Sequence, residues 1–329
     1  MRRAAAAGVA LGAAVAAGTA GYAASRLMRW RTRGSVADAD LVLPGNLRPK
    51  DVTMSDGGRL RVVEGGSGPA IVLVHGAGLT SDVWAYQFRD LSDRRRVLAI
   101  DQRGHGHSAA GSHGITIDAM ADDLGELLED LDLEKALLVG HSMGGMSVLR
   151  FARRHGDVLE RRVGALLLVS TSGGVAPPGT ASGRLVYGAG EVVESLGRRL
   201  ARAGVPTPLT VAVGSIATRL GFGVSPSPAQ VESTSSILRS MPGERLAGLA
   251  PELAAFDEQA PFPELGVPVT VLVGDRDRLT PPAWARRLAG SIPGARLVVW
   301  PGGGHMLMYE RREAFDWMLE KLSEPRSEL

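Results

Sequence analysis

Ala136-Leu137-Leu138-Val139-Gly140-His141-Ser142-Met143-Gly144-Gly145 decides the reading of this 329-residue chain. The first four residues are a continuous apolar run, the pattern of a strand buried on both faces. Residues 145–154 suit a helix. Between them stands G-x-S-x-G, Gly140 to Gly144. A sharp turn from a parallel strand into a helix strains its central residue and lifts that side chain clear at the carboxyl end of the sheet. Glycine is expected two positions either side, because a Cβ there would collide with the neighbouring strand or helix. Ser142 is therefore a candidate nucleophile. The start of the next helix offers free N–H groups and a positive dipole end, both suited to an oxyanion. The chain holds 43 glycines, so the motif alone recurs by chance, and its neighbours must supply the rest.

Upstream, Ile71-Val72-Leu73-Val74 is a second buried strand, and it runs into His75-Gly76-Ala77-Gly78. In acyl transfer a developing oxyanion needs two donors. One is the backbone N–H after the nucleophile, here Met143. The other comes from the loop after an earlier strand, which gives Ala77, with Gly76 as the alternative. His75 is expected to shape that loop. A third apolar strand, 97–100, ends in Asp101-Gln102-Arg103-Gly104-His105-Gly106-His107-Ser108. Asp101, His105 and His107 lack the helical i,i+4 histidine pair of a metal site, so a structural loop is expected and no metal.

From Ile117 to Leu131 apolar residues recur at helical spacing, with Asp122, Asp123, Glu126 and Glu129 on the other, solvated face. Residues 165–169 form another buried strand. Residues 59–64 alternate like an edge strand. Strand and helix patterns therefore alternate. They predict a doubly wound, mostly parallel α/β sheet with right-handed crossovers and a site at the strands' carboxyl ends.

Taken together, His75-Gly76, the loop from Asp101 to Ser108, and Gly140-His141-Ser142-Met143-Gly144-Gly145 resemble the α/β-hydrolase fold superfamily. The variant is the one found in carboxylesterases and monoacylglycerol-lipase-like enzymes. The resemblance covers residues 52–322. It implies a Ser-His-Asp triad, with the acid after a late strand and the histidine after the last one. The late strand, 267–273, is followed by Gly274-Asp275-Arg276-Asp277-Arg278-Leu279-Thr280-Pro281. In similar proteins the acid sits four residues before the proline, which selects Asp277, with Asp275 as runner-up. The strand 296–300 is followed by Pro301-Gly302-Gly303-Gly304-His305, which makes His305 the base. Glu310 reads as a cap or a surface charge. Dehalogenases and epoxide hydrolases are similar in fold but need Asp where this chain has Ser142.

About ninety residues, 173–263, separate the strand at 165–169 from the late strand. Prolines break them into pieces, of which 185–203, 210–220, 229–239 and 244–258 read as helices. A helical cap over the site is the expectation, since the sheet alone would leave it open. The pieces are rich in Ala, Leu and Val and poor in charge, which suggests an apolar pocket for a lipophilic ester.

Composition sets the outer bounds. Cysteine is absent, which excludes disulfides, thiolate zinc sites and a Cys nucleophile. Six arginines precede Asp38. Without them 31 basic residues face 35 acidic ones, so the body is mildly acidic and unlike a nucleic-acid binder. The 22 uncharged residues between Arg3 and Arg26 have the length of one helical span, but consist largely of weakly apolar Ala and Gly. They suggest a single membrane-associating segment, with a cleaved export signal as the alternative and the side of the membrane open.

The expected organisation is an anchor or signal at 1–33, a linker at 34–50, hydrolase core at 51–172 and 264–329, and the cap at 173–263. The expected activity is a serine hydrolase that cleaves a lipophilic carboxylic ester without a cofactor. It would use Ser142, Asp277 and His305, with Ala77 and Met143 N–H groups as the oxyanion hole. A cofactor-free haloperoxidase or perhydrolase, or a C–C bond hydrolase, would use the same residues. A non-catalytic binding protein on this fold is the alternative of another class.

Overall fold

The apolar runs build the middle of one sheet. In a computed structural model that describes residues 39–174 and 218–324, eight strands are hydrogen-bonded side by side. They are β1 (Arg48–Thr53), β2 (Arg59–Gly65), β3 (Ala70–Val74), β4 (Arg96–Ile100), β5 (Ala136–His141), β6 (Val163–Val169), β7 (Val269–Gly274) and β8 (Arg296–Trp300). Their order is β1-β2-β4-β3-β5-β6-β7-β8. The six strands from β4 to β8 run parallel, and β1 and β2 are antiparallel. Every residue of β3, β5 and β7 is buried, as expected of parallel strands covered on both faces.

The cover comes from helices α1 (Ala85–Leu91), α2 (Ile117–Asp130), α3 (Met143–Arg154), α4 (Gly156–Arg162), α5 (Pro228–Ser240), α6 (Gly243–Ala255), α7 (Pro282–Ser291), α8 (Leu307–Glu310) and α9 (Arg312–Ser323). Strand alternation sorts the core into two layers. Val72 and Val74 pack with Leu124 and Leu128 of α2 and Leu149 of α3. Ile71 and Leu73 pack with Phe88 of α1 and Phe315 and Leu319 of α9. The doubly wound sheet is thus as expected.

Three features differ from the sequence reading. Residues 59–64 lie inside the sheet, because β1 covers them. Arg48, Pro49 and Lys50 hide the start of that strand in a polar stretch read as linker, and proline with charge suits an edge. Leu41, also in that stretch, is buried against the core. Second, Asp123 is not solvated. It is 4% exposed and takes Arg103 Nε and Nη2 at 2.7 and 2.5 Å, while Arg103 Nη1 reaches Asp56 at 2.9 Å. Arg103, itself 2% exposed, joins the β1–β2 turn to α2, and its hydrogen bond chiefly holds the Asp56 carboxyl down at about 2. Third, the membrane-span expectation is corrected: among the described residues no helix is long and apolar enough to cross a membrane. The segment between Arg3 and Arg26 lies outside the described residues; its Ala is only weakly apolar, and its Gly is a poor helix former.

Of the insertion between β6 and β7, α5 and α6 stand where 229–239 and 244–258 were expected. The expected helix 185–203 and most of 210–220 lie outside the described residues. Pro228 at the first turn and a Ser227–Gln230 capping box start α5. Both helices close over the loop after β3. A Cβ on Gly78 would stand 2.9 Å from Leu238 of α5 and 3.2 Å from Leu246 of α6.

One buried acid makes stability depend on pH. Asp316 of α9 is 6% exposed and accepts from Gln87 Nε2 of α1 at 2.9 Å, and its carboxyl lies beside that of Asp90. Asp90, held by Arg312 Nε and Nη2 at 2.5 and 2.6 Å, is its charged neighbour. Burial first, then Asp90, pushes the Asp316 carboxyl up to about 8. The folded chain thus keeps a proton that the unfolded chain releases near pH 4, so stability falls as pH rises between roughly 4 and 8. Asp316→Asn is expected to stabilise the protein by about 2–4 kcal/mol more at pH 8 than at pH 5. Urea unfolding at the two pH values measures this, and an equal effect at both would contradict the assignment.

Candidate active site

Ser142 occupies the turn between β5 and α3 with φ 54° and ψ −119°. A non-glycine residue in such backbone costs on the order of 1–3 kcal/mol and persists only where its surroundings enforce it. Here they do. Ser142 N–H donates to Val169 O at 2.9 Å, and Ser142 O accepts from Gly145 N–H and from Thr171 Oγ1 at 2.9 and 2.7 Å. A Cβ on Gly140 would lie 2.6 Å from Gly144 O, and one on Gly144 would lie 2.6 Å from His75 O. Both motif glycines are therefore steric requirements. The next glycine is one too, since a Cβ on Gly145 would meet Thr171 at 2.6 Å.

The loop after β3 presses on this turn: a Cβ on Gly76 would stand 2.9 Å from Ser142 Cβ. His75 braces the loop, as expected. Its Nδ1–H donates to Gly76 O at 2.8 Å and its Nε2 accepts from Gln102 N–H at 3.0 Å. Gln102 in turn donates to His75 O at 2.6 Å and accepts from Ser147 Oγ of α3 at 2.8 Å. Burial, with His105 nearby, pushes the His75 imidazole well below its ordinary value and keeps it neutral. The backbone N–H groups of Ala77 and Met143 have no partner among the described residues. Ala77 and Ser142 are half-buried, whereas the residues on either side of each are buried.

Asp277 and His305 meet. His305 Nδ1–H donates to Asp277 Oδ2 at 3.0 Å, with Oδ1 at 3.2 Å, which leaves Nε2 free as an acceptor. Asp277 Oδ1 also takes Leu279 N–H and Thr280 N–H at 2.9 Å each, and Oδ2 takes Thr280 Oγ1–H at 2.8 Å. Burial alone would raise this carboxyl, but His305 and the Thr280 donors outweigh it and hold it below the usual range. Asp277 is thus an anion at neutral pH, fitted to orient an imidazole and stabilise its protonated form. The runner-up, Asp275, points elsewhere: its half-exposed carboxylate accepts from Gly302 N–H at 2.7 Å.

Ser142 Oγ makes no hydrogen bond among the described residues; the Ser142 turn and the loop of His305 are joined through His141. Its Nε2–H donates to His305 O at 3.0 Å, and the two rings lie 4.8 Å apart. Burial and then His305 push His141 down to about 3, so it stays neutral while bracing the loop. In a free enzyme the serine–histidine contact is often long and tightens when substrate binds.

The sequence reading missed Thr280, His141 and Glu310. Thr280 had a signal, a hydroxyl three residues after a loop aspartate, the spacing of a local side-chain turn. Glu310 is neither a simple cap nor a surface charge, because three backbone N–H groups converge on it. Asp101 fixes the loop after β4 within itself and to the segment after β3, taking the N–H groups of His107 and Ser81 at 2.9 and 2.7 Å. Among the described residues no group of three His, Asp or Glu could hold a metal ion.

Apolar side chains surround Ala77 and Met143. Met143 packs with Met120 and with Leu249 of α6, and Ala77, Ile115, Met241 and Leu253 border them. A cavity of about 580 Å³, bordered by Leu43, Leu47, Asp82 and His107, includes none of the candidate site residues.

Comparison with known proteins places the chain in a family. The alpha/beta hydrolase fold family model matches residues 69–312. The AB hydrolase superfamily protein YisY of Bacillus subtilis is 29% identical over 260 residues, 78% of this chain and 92% of its own. The non-heme chloroperoxidase CPO-A1 of Kitasatospora aureofaciens is 43% identical over 105 residues, only 32% of this chain and 38% of its own. A thermophilic esterase from Thermogutta terrifontis, solved with malate bound, superposes with a TM-score of 0.65 at 28% identity, covering 84% of this chain and 100% of that one. The chain therefore belongs to the α/β-hydrolase fold family, as a hydrolase with esterases and haloperoxidases among its relatives.

Proposed function

We propose that the protein is a serine hydrolase that cleaves the carboxylic ester of a lipophilic small molecule through an acyl-enzyme on Ser142. The observation that carries the reading is the hydrogen bond from His305 Nδ1 to Asp277, braced by His141 against the strained turn of Ser142. Ser142 Oγ attacks the ester carbonyl as His305 Nε2 takes its proton. The oxyanion lies against the Ala77 and Met143 N–H groups, each such donor contributing on the order of 3 kcal/mol. His305 returns the proton to the leaving alcohol. Water then adds to the acyl-enzyme with His305 again as base, releasing the acid and restoring Ser142. The methionine and leucine side chains packed around Met143 and Ala77 support an apolar acyl group.

A fluorophosphonate probe and a series of p-nitrophenyl esters test the reading together. The probe is expected to label one peptide, the one that holds Ser142. Ester hydrolysis is expected to rise several-fold from acetate to butyrate or longer, since each buried methylene contributes up to about 0.8 kcal/mol. A wild-type protein inert to every ester and to the probe would overturn it. The match to the chloroperoxidase supports a second reading, in which hydrogen peroxide instead of water opens the acyl-enzyme and releases a peracid. Acetate with peroxide and bromide, assayed by bromination of a dye, distinguishes the two.

A further inference from the structure

Glu310 closes α8 five residues after His305, and its carboxylate gathers backbone donors from two separate loops. Gly304 N–H donates to Oε2 at 3.0 Å, Met306 N–H to Oε1 at 3.1 Å, and Gly223 N–H to Oε2 at 2.7 Å. Gly304 and Met306 are the residues on either side of His305. Gly223 belongs to the insertion. A glutamate that only capped α8 would account for the Met306 contact, but not for the other two.

The two loops are also bonded directly. His305 N–H donates to Gly221 O at 2.7 Å and Val224 N–H to Gly302 O at 3.1 Å. Arg219 holds the far side of the insertion strap, its Nη1 on Gly223 O at 3.0 Å and its Nη2 on Val224 O at 3.1 Å. The approach leaves no room for side chains. A Cβ on Gly304 would lie 2.5 Å from the Phe222 carbonyl carbon, and one on Gly223 would lie 2.7 Å from Glu310 Oε2. Phe222 itself is fully buried. The backbone position of His305 is therefore set as much by the insertion as by β8.

We propose that Glu310 is a positioning residue, whose carboxylate clasps the insertion strap at Gly223 to the loop that carries His305 and so fixes where the imidazole stands. The role rests on the serine-hydrolase reading of the site. An aspartate–histidine pair orients a ring only if the histidine backbone is itself held. Here Glu310 holds it on both sides, at Gly304 and Met306. A displacement of about 1 Å at a reacting group costs on the order of 100-fold in rate.

The test uses the full chain with p-nitrophenyl butyrate, comparing wild type, Ser142→Ala, Glu310→Gln, Glu310→Ala and Gly223→Ala, with Tm measured for each. Glu310→Ala is expected to lose about 100-fold in kcat with KM changed less than about twofold. Glu310→Gln keeps one carbonyl acceptor and is expected to lose about tenfold with an unchanged Tm. Gly223→Ala breaks the clasp from the other side and is expected to show the same loss in kcat. If Glu310→Ala fails to fold, Glu310→Gln decides. Wild-type kcat in Glu310→Gln and Gly223→Ala, or a loss confined to KM, overturns the positioning role while Ser142→Ala still stands as inactive. An active Ser142→Ala, or an inactive wild type, overturns the serine-hydrolase reading and the positioning role with it.

Discussion

Ser142→Ala is expected to lower kcat/KM for p-nitrophenyl butyrate by about 10⁴- to 10⁶-fold, roughly 5–8 kcal/mol of transition-state stabilisation. The substitution removes one oxygen and little else. Alanine keeps the Cβ that packs on Gly76, and it keeps the strained backbone that Val169 O and Thr171 Oγ1 enforce. The Ala77 and Met143 N–H groups, without a partner among the described residues, are untouched by the substitution. What disappears is the covalent route. Residual hydrolysis then measures what the oxyanion donors and binding do alone, on the order of 10³- to 10⁴-fold over water. A Tm equal to or slightly above wild type is expected, because Oγ has no hydrogen bond among the described residues to lose. Steady-state kinetics with circular dichroism as a folding control measures this, and a variant within tenfold of wild type would remove Ser142 from the nucleophile's role.

Much of this candidate site is legible in the sequence, because its signals are local. A buried strand, a glycine-flanked serine and a helix lie within a few residues of one another, and so do the late strand and its aspartates. The core strands were legible for the same reason: 71–74, 97–100 and 165–169 are apolar on both faces. What the sequence hid are contacts between distant stretches. Asp123 reads as a solvated helix acid until Arg103, twenty residues earlier, is seen lying across α2. Glu310 reads as a surface charge until Gly223, which precedes it by 87 residues, is brought against it. His141 is only the variable position of the motif until its ring reaches His305 O. β1 escaped because an edge strand exposes one side and needs little apolar pattern. In each case a residue's role follows from which backbone approaches it, and that depends on the sheet order.

Asp277→Asn is expected to lower kcat by about 10⁴-fold with little change in KM, and the hydrogen bonds around the carboxylate explain why. Oδ1 is occupied by two donors, the N–H groups of Leu279 and Thr280 at 2.9 Å each. An asparagine must therefore place its carbonyl there and turn its amide NH₂ toward His305 Nδ1 and Thr280 Oγ1, where Oδ2 now lies. Facing a donor, His305 Nδ1 becomes an acceptor, and the ring proton moves to Nε2. The nitrogen that should take the Ser142 proton is then already protonated. The geometry survives while the tautomer is wrong, so substrate still binds and the fluorophosphonate reaction slows with hydrolysis. Asp275→Asn is the control that separates motif position from mechanism. Its carboxylate serves Gly302 N–H and stands beside Arg276, half-exposed, with no bond to His305. It is expected to stay within about threefold of wild type, in line with surface substitutions away from a buried network. The reverse outcome, with Asp275→Asn inactive and Asp277→Asn active, would transfer the orienting role to Asp275 and leave the four short contacts on Asp277 as loop structure alone.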